Sequence, residues 1–511
     1  MTILETVYAQ GWPLLAVLLV IYATKKIAAY RRLSHFKGPF GSGFTQFPHS
    51  RRLIKTEASA WYEDAVNEYG PIARIGPNLL ITANPEIWAR INSKPNYKRT
   101  DWFYQSARFE YQRDMIFSQT DNALHDKRRK QLAPGYSGRE NPALEATIDT
   151  HILSLLHLLR TKYLSTPTHP VIPMDLSKKI QYLTLDIIST LGTSRPFGML
   201  AADADISSYI ANGEAGLLIG NTFMALGLEG IRQAPLIGKL IAPSPTDSSG
   251  FGKMLGTCFE IVDARWAEPE AEKKKRVDML ASWMKAGLSR DDLRSETVEQ
   301  ILAGSDTTAS ALRGVFLYLM TNPRVYGRLQ REFDEAAEKG GVEVGETGVV
   351  TLAATKRMVY LQAVIREAMR VWPPVVNLFP HDVPPEGDTV VVDGRSWFLP
   401  GGTEIGLSVT GMMHSKEIFG EDAKCFRPER WLEEEDEERL VRMTRTTDLI
   451  FGHGRWQCLG KSIAQLEIGK TVYEVLRKFD LALVDPTRPW RTKAPLGLFV
   501  INDMWVQVTA R

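Results

Sequence analysis

The sequence predicts a mainly α-helical protein with a small β-rich lobe. Apolar residues recur at helical spacing in two long stretches, one beginning near Leu293 and one after Cys458, as in helices that bury one face. Residues 72–75 and 79–82 are short apolar runs separated by Gly-Pro-Asn at 76–78, which is typical of two strands joined by a turn. A chain of 511 residues with 44% hydrophobic and 24% charged residues can bury a large core, so we expect a globular fold.

Charge and cysteine usage exclude several classes of protein. The formal net charge of +2 gives no reason to expect nucleic acid as a partner, because phosphate binding needs a concentrated basic face. Cys258, Cys425 and Cys458 lie far apart without CxxC spacing, which argues against a disulfide framework and against a structural zinc site. The sequence shows no repeat period and no obvious interdomain linker, so we predict one main domain over residues 36–511.

An uncharged apolar segment stands near the N-terminus. Residues 7–24 carry no formal charge, and at about 1.5 Å per helical residue they are barely long enough to cross a bilayer core. The flank that follows is basic, with Lys25, Lys26, Arg31 and Arg32. Such a flank stays cytoplasmic, whereas a cleavable signal peptide, the alternative, carries its positive charge first, where this chain has Glu5. We therefore predict an uncleaved membrane anchor with its basic flank over residues 1–35.

A basic segment, residues 124–130, continues to a Pro-Gly pair at 134–135 that is expected to end a helix. His125 and Arg129 are four residues apart, so they share one helical face while the other cations can point outward. Further along, His381 follows Leu-Phe-Pro, and a lone histidine beside prolines is as often structural as functional.

The apolar spacing after Leu293 predicts a long helix that ends at Asn322-Pro323. Within it, residues 303–308 are Ala-Gly-Ser-Asp-Thr-Thr. A glycine inside a helix costs about 1 kcal/mol relative to alanine, and hydroxyl side chains compete for backbone carbonyls, so we expect a local distortion at Gly304. The alternative is an ordinary core helix whose threonines hydrogen-bond back to their own helix.

Glu367 and Arg370 lie in a helical run, residues 361–370, that stops ahead of a Pro-Pro pair. Their spacing of three places both charges on one face, where they can pair. An exposed pair of this kind is common and contributes only a few tenths of a kcal/mol, so the pattern alone is weak evidence.

The densest signal is the segment 451–460, Phe-Gly-His-Gly-Arg-Trp-Gln-Cys-Leu-Gly. Its three glycines are typical of a tight loop whose backbone approaches something flat or bulky. Apolar residues recur at helical spacing from Ile463 onward, so Cys458 stands just before a helix start. Backbone N–H groups and the helix dipole favour a thiolate there, and the thiolate is the form that ligates a metal. The alternative is a glycine turn with a buried cysteine.

This loop resembles FxxGxRxCxG, the haem-binding loop of the cytochrome P450 superfamily. The residues matched to it are Phe451, Gly454, Arg455, Cys458 and Gly460. The resemblance implies that Cys458 is the axial thiolate of heme b (iron protoporphyrin IX), that Arg455 pairs with a haem propionate and that Phe451 lies beside the sulfur. A thiolate ligand pushes electron density onto the iron and favours O–O bond cleavage.

The remaining motifs occur in the order found in this family. Residues 303–308 look like its AGxDTT segment, in which Thr307 would hydrogen-bond oxygen at the haem and Asp306 would relay protons from solvent. The segment with His125 and Arg129 resembles the helix that reaches the propionates, although the family often has tryptophan where this chain has His125. His381 stands where a basic residue commonly meets a propionate.

The resemblance also assigns structural residues and a closer relationship. Glu367 and Arg370 match the family's ExxR pair, which would join Arg430 to brace the haem-loop region rather than take part in catalysis. Residues 99–102, 131–139 and 379–385 look similar to the fungal microsomal group that includes pisatin demethylase.

The function implied is that of a haem-dependent monooxygenase on the cytoplasmic face of the endoplasmic reticulum membrane. It would use O2 and electrons from NADPH-cytochrome P450 reductase, with cytochrome b5 as a further candidate donor, because no flavin or nicotinamide motif accompanies the haem motifs. The family's pocket walls would be residues 102–117, 217–226, 375–378 and 496–499 with the start of the long helix. These stretches are apolar, so we expect a small hydrophobic secondary metabolite as substrate. The alternatives are a reductase-independent isomerase or dehydratase and a non-catalytic haem sensor.

Overall fold

The computed structural model describes residues 3–338 and 341–511. In the first half of the chain the helices are α1 (Ile3–Arg32), α2 (Phe47–Ile54), α3 (Ala58–Tyr69), α4 (Pro85–Ser93), α5 (Asp101–Ser106), α6 (Asn122–Tyr136), α7 (Leu144–Leu158), α8 (Leu176–Thr193), α9 (Met199–Ala202), α10 (Tyr209–Leu226), α11 (Glu229–Arg232) and α12 (Gly238–Ile241). The second half adds α13 (Gly250–Ala267), α14 (Glu270–Lys273), α15 (Met279–Lys285), α16 (Arg290–Thr321), α17 (Pro323–Glu338), α18 (Leu352–Arg357), α19 (Val359–Val371), α20 (Val409–Met413), α21 (Lys416–Phe419), α22 (Glu437–Asp448) and α23 (Lys461–Lys478).

The strands form small sheets beside the helical body. They are β1 (Ile72–Arg74), β2 (Leu79–Thr82), β3 (Lys98–Arg99), β4 (Met174–Asp175), β5 (His381–Asp382), β6 (Asp388–Val392), β7 (Arg395–Leu399), β8 (Glu404–Leu407), β9 (Phe479–Leu483), β10 (Arg491–Lys493), β11 (Val500–Asn502) and β12 (Trp505–Ala510). The largest sheet has the order β1-β2-β8-β5-β3, with β2 and β8 parallel and the other pairs antiparallel. The predicted combination of a mainly helical body and a small β-rich lobe is confirmed.

The long helix α16 runs through the largest hydrophobic core and packs against α8, α13, α19 and α23. It is continuous through Gly304, so the expected distortion does not interrupt it. A Cβ atom added to Gly304 would lie 2.5 Å from Cγ1 of Ile188 on α8, which is closer than real side chains approach. The glycine therefore allows α8 and α16 to pack closely.

A buried ion-pair network joins α19 to the segment before α22. Arg370 Nη2 lies 2.8 Å from Glu367 Oε1, and Arg430 Nε lies 2.9 Å from the same oxygen. Arg370 Nη1 also donates to the backbone carbonyl of Met413 at 2.7 Å. All three charged side chains are excluded from solvent, so the network is a buried brace rather than a surface ion pair.

The C-terminal end of α1 packs on the β-rich lobe. The buried Arg74 of β1 donates to the carbonyls of Ala29 at 3.2 Å and Tyr30 at 3.0 Å, and the Tyr30 ring stacks on Phe44. Earlier in α1 the apolar side chains are exposed, including Trp12, Leu18, Leu19, Val20 and Tyr22. Within the residues that the structure describes, no helix combines the length and apolar character needed to cross a membrane.

Candidate active site

Cys458 lies in a tight loop, and it precedes the first residue of α23 by three positions. The N–H of Cys458 donates to the carbonyl of Phe451 at 2.7 Å, which closes the loop. Gly452 and Gly454 adopt positive φ values of 71° and 60°, a backbone conformation that favours glycine. A Cβ on Gly452 would also lie 2.6 Å from the carbonyl oxygen of Trp456, so this glycine is needed for the fold of the loop.

The Cys458 side chain is exposed to a cavity, although the surrounding protein encloses it. This burial raises the pKa of the Cys458 thiol, while the backbone N–H groups of Gly460 and Lys461 and the positive charge of Arg129 act in the opposite direction. The predicted electrostatic support from the helix start is therefore present. The positive charge of a metal bound to the sulfur would offset the remaining cost of burying a thiolate.

The cavity has a volume of about 300 Å³ and lies between the cysteine loop and α16. Phe451 and Cys458 form one wall, and Ala303, Gly304 and Thr307 of α16 line the cavity as well. Its size and predominantly apolar walls are those of a small-molecule or cofactor site.

Basic side chains line one part of this cavity. Pairing of β3 with β5 sets Arg99 opposite His381, while α6 contributes His125 and Arg129. Burial, followed by the nearby positive charge of Arg99, lowers the pKa of His125 to about 2 and that of His381 to about 3, so both imidazoles are neutral at pH 7. Arg129 Nη1 donates to the carbonyl of Gln457 at 2.6 Å.

Two of these basic groups keep unpaired nitrogen atoms. Arg99 Nη1 donates to the carbonyls of Ile116 and Phe117, and His381 Nδ1 lies 2.9 Å from the carbonyl of Phe379. Arg99 Nε and His381 Nε2 have no hydrogen-bond partner among the described residues, although both are buried. The unpaired Arg99 Nε–H fits a carboxylate of a haem, because an anionic acceptor would satisfy it. The neutral His381 ring donates from Nδ1 to the Phe379 carbonyl, so its Nε2 can only accept a hydrogen bond.

The prediction for Arg455 is wrong. Its side chain does not line the cavity; it lies 3.6 Å from Asp126 in a partly exposed ion pair. In FxxGxRxCxG the arginine stands two residues before the cysteine, and in this chain that position is Trp456, so Arg455 lies one residue ahead of the arginine of the pattern. Trp456 does line the cavity, with the Arg99 guanidinium 4.2 Å from its ring centroid and the His125 ring also at 4.2 Å.

Thr307 and Asp306 lie on different sides of α16. Thr307 faces the cavity, and its hydroxyl donates to the carbonyl of Ala303 at 2.8 Å, the back-bonding that the core-helix alternative foresaw. Asp306 instead lines a separate cavity of about 20 Å³, where it accepts a hydrogen bond from Gln181 at 2.5 Å. Burial raises the pKa of Asp306. The structure thus brings Thr307, but not Asp306, into the cavity of Cys458.

The expected substrate walls are only partly brought to this cavity. Ile116, Phe117 and Val375 line it. Met224 and Leu496, from two other expected walls, instead line a neighbouring cavity of about 10 Å³. Of the expected walls outside α16, only parts of residues 102–117 and 375–378 therefore line the main cavity in the described part of the chain.

Arg99 and Glu299 line the cavity and were not among the predicted site residues. Residues 99–102 resemble a fungal group, but no sequence pattern indicated that Arg99 is buried at the cavity. Glu299 carries one usable signal, because it precedes Ala303 by four residues and Thr307 by eight, which places all three on one helical face.

A cysteine just ahead of a helix, facing a long hydroxyl-bearing helix across a cavity edged with basic groups, is the arrangement of a haem-thiolate enzyme. Comparison with known proteins agrees: the family model for cytochrome P450 matches residues 53–508. The chain belongs to the cytochrome P450 family, and it is a monooxygenase that uses haem with a cysteine thiolate ligand and molecular oxygen.

Several fungal proteins are similar over nearly the whole chain. Cytochrome P450 monooxygenase ABA1 of Pyricularia oryzae is 37% identical over 508 residues, which cover 98% of this chain and 96% of that protein. Cytochrome P450 monooxygenase aba1 of Botryotinia fuckeliana is 35% identical, covering 89% of this chain and 88% of that protein. Cytochrome P450 monooxygenase abl1 of Leptosphaeria maculans is 32% identical, covering 92% and 82%.

Proposed function

We propose that this enzyme hydroxylates, demethylates or further oxidises a small hydrophobic secondary metabolite, with Cys458 as the thiolate ligand of the haem. The observation that carries the proposal is that Cys458 and Thr307 line the same largely apolar cavity from different elements. Haem bound there would supply the activation of molecular oxygen, while the protein contributes the thiolate, an enclosed pocket and proton transfer.

Three side chains are suited to donate to the haem carboxylates. Arg99 and Arg129 provide positive charge, and the neutral imidazole of His125 provides an N–H donor. His381 also lines the cavity, but its N–H group donates to the Phe379 carbonyl, so its remaining nitrogen can meet a propionate only where that group carries a proton. Phe451 lines the cavity beside Cys458, as expected for an aromatic neighbour of the sulfur.

Protons reach the cavity from the opposite side of α16. Asp306 shares its small cavity with Glu214 and Arg313, and a volume of about 20 Å³ can hold one water molecule. Burial raises the pKa of both carboxyl groups, so each binds a proton more readily than an exposed acid. Asp306 passes protons across the helix, and the Thr307 hydroxyl, released from the Ala303 carbonyl, donates a hydrogen bond into the main cavity.

Electrons come from NADPH-cytochrome P450 reductase, with cytochrome b5 as a second donor. The proposed docking face for these donors consists of five basic residues: Lys127, Lys130, Arg442, Arg445 and Lys461. Lys127, Lys130 and Arg445 are exposed, whereas Arg442 pairs with Glu417 and Lys461 with Asp448. The exposed cations are suited to steer an acidic partner to the cysteine side of the molecule.

The enzyme resides at the endoplasmic reticulum membrane, with residues 1–35 as anchor and residues 36–511 on the cytoplasmic face. Exposed apolar side chains in α1 and the basic Arg31-Arg32 end of that helix support this placement.

The test is the coupling of NADPH use to product. Metabolite profiling after deletion of the gene supplies the substrate, as the precursor that accumulates. Thr307→Ala should then lower the ratio of product to NADPH consumed by about tenfold or more, because hydrogen-bond and proton control at the oxygen is lost. Thr321→Ala is the matched control, because Thr321 makes the same bond to its own helix, 2.8 Å to the Leu317 carbonyl.

The outcomes separate the three functions. Unchanged coupling in Thr307→Ala, with product formed when reductase is omitted, would support an isomerase or dehydratase instead. Absence of product with reductase and the accumulated precursor would support a haem sensor.

A further inference from the structure

Glu299 is a carboxylic acid without a protein partner in the wall of the main cavity. The described residues provide its carboxyl oxygens with neither a hydrogen bond nor an ion pair, and only burial and nearby charges act on it. Glu296, one turn earlier on α16, shows the contrast. It accepts hydrogen bonds from the Ile116 N–H at 2.9 Å and from Arg128 at 2.6 Å, and it does not line the cavity.

An unpaired polar group in a largely apolar cavity is unfavourable unless a ligand satisfies it. The charged and titratable groups near Glu299 are Glu296, Arg99 and Tyr136. Burial, with a further contribution from the negative charge of Glu296, raises the pKa of Glu299 to about 8, although Arg99 opposes the shift. At neutral pH the carboxyl group therefore keeps its proton and can donate a hydrogen bond.

The position of Glu299 along α16 sets its distance from the oxidation site. Glu299, Ala303 and Thr307 share one helical face, and each lines the cavity. Eight residues at about 1.5 Å each place Glu299 about 12 Å along the helix axis from Thr307. A substrate that reaches both ends therefore carries its polar group several bonds away from the carbon that is oxidised.

We propose that Glu299 anchors the substrate by donating a hydrogen bond to a hydroxyl or carbonyl oxygen at the end of the molecule remote from the oxidised carbon. The inference rests on the proposed function and narrows the substrate class to apolar molecules with one terminal oxygen group. A cationic substrate fits less well, because Arg99 lies beside Glu299 and the protonated carboxyl carries no charge.

The experiment measures binding to the holoenzyme by the shift of its Soret absorbance. The probes are decan-1-ol, decane and decyltrimethylammonium, which share one alkyl chain and differ at its end. Wild type should bind decan-1-ol about tenfold more tightly than decane, as one buried hydrogen bond allows. Glu299→Leu should lose this preference, whereas Glu299→Gln, which keeps a neutral donor, should retain most of it.

Glu296→Gln is the control, because it alters a paired carboxyl group outside the cavity on the same helix. It should keep the preference for the alcohol. The inference would be overturned by no preference in wild type, by a preference that survives in Glu299→Leu, or by loss of haem in that variant, which would make Glu299 a haem contact. Tighter binding of decyltrimethylammonium than of decan-1-ol by wild type would also overturn it. A red-shifted Soret band in the reduced, carbon monoxide-treated variants would show that the thiolate-bound haem on which the proposed function depends is intact.

Discussion

Arg99, a residue distant in sequence, brings a positive charge to the cysteine loop. The Arg99 guanidinium packs over the ring of Trp456, which occupies the position where the family pattern has arginine. Trp456 in the loop and Arg99 on β3 therefore stand together in place of the loop arginine of the pattern. A cation–π interaction between the guanidinium and the indole ring stabilises this arrangement. Arg455 takes no part, because its side chain pairs with Asp126.

Arg99→Leu should weaken haem retention by roughly 10- to 100-fold, since it removes a charge-assisted hydrogen bond worth about 1.5–3 kcal/mol. The rate at which haem transfers to a scavenging apoprotein measures the effect. Arg455→Leu is the matched control and should change this rate by less than about threefold, because only a partly exposed ion pair is lost. Equal losses in the two variants would contradict the assignment.

Residues predicted from the sequence line the main cavity, among them Cys458, Thr307, His125, Arg129 and His381, whereas Arg99 was not predicted there. Local spacing placed Cys458 before a helix and Thr307 on a helical face, and both placements depend only on neighbours in the chain. The position of Arg99 depends on its pairing with His381 across 282 residues of chain, a contact that local patterns do not encode.

At the scale of single elements, α19 is held by charges that are fully removed from water. Glu367 accepts from Arg370, Arg430 and the Trp431 indole N–H, so one carboxylate satisfies donors from two segments. A buried pair is costly to break, because the partner left behind becomes an unpaired buried charge. Local spacing predicted that Glu367 and Arg370 pair, but their complete burial follows from the packing of the later segment.

Glu367→Ala should destabilise the fold by about 3–5 kcal/mol, because it leaves Arg370 without its carboxylate in the interior and removes one of the two carboxylates that pair with Arg430. The midpoint of thermal unfolding of the holoprotein should fall markedly. Glu272→Ala, which breaks an exposed pair with Lys275, is the control and should cost less than about 0.5 kcal/mol. A similar midpoint for the two variants would show that the buried network is not a brace.

The elements with a strong local pattern agree well with the sequence. The predicted strands at 72–75 and 79–82 are observed as Ile72–Arg74 and Leu79–Thr82, and the helix expected near Leu293 spans Arg290–Thr321. The two-residue strands β3 and β5 had no such signal, because pairing with distant strands rather than their own composition defines them.

Across the whole molecule, the C-terminal end of α1 is bonded to the β-rich lobe, whereas apolar side chains earlier in the helix are exposed. Arg74 binds the carbonyls of Ala29 and Tyr30, and Arg32 donates to the Gly401 carbonyl at 2.8 Å. The last turns of α1 therefore pack on the β-rich lobe, whereas the side chains of Trp12, Leu18, Leu19, Val20 and Tyr22 are exposed.

Deletion of residues 1–24 should move most of the protein from the membrane pellet to the supernatant after cell fractionation. This deletion leaves the contacts of Ala29, Tyr30 and Arg32 in place, so the fold should persist, as the visible spectrum of bound haem would show. Full-length protein found mainly in the supernatant would contradict the proposed anchor.

The proposed function depends on a bond between the Cys458 sulfur and haem iron. The most direct test is the absorption spectrum of the reduced protein treated with carbon monoxide, compared among wild type, Cys458→Ser and Cys425→Ser. The strongly red-shifted Soret band that thiolate ligation produces should appear in wild type and in Cys425→Ser, whose cysteine is exposed outside the cavity, and should vanish in Cys458→Ser. Persistence of that band in Cys458→Ser, or its absence from wild-type protein that retains haem, would contradict the account.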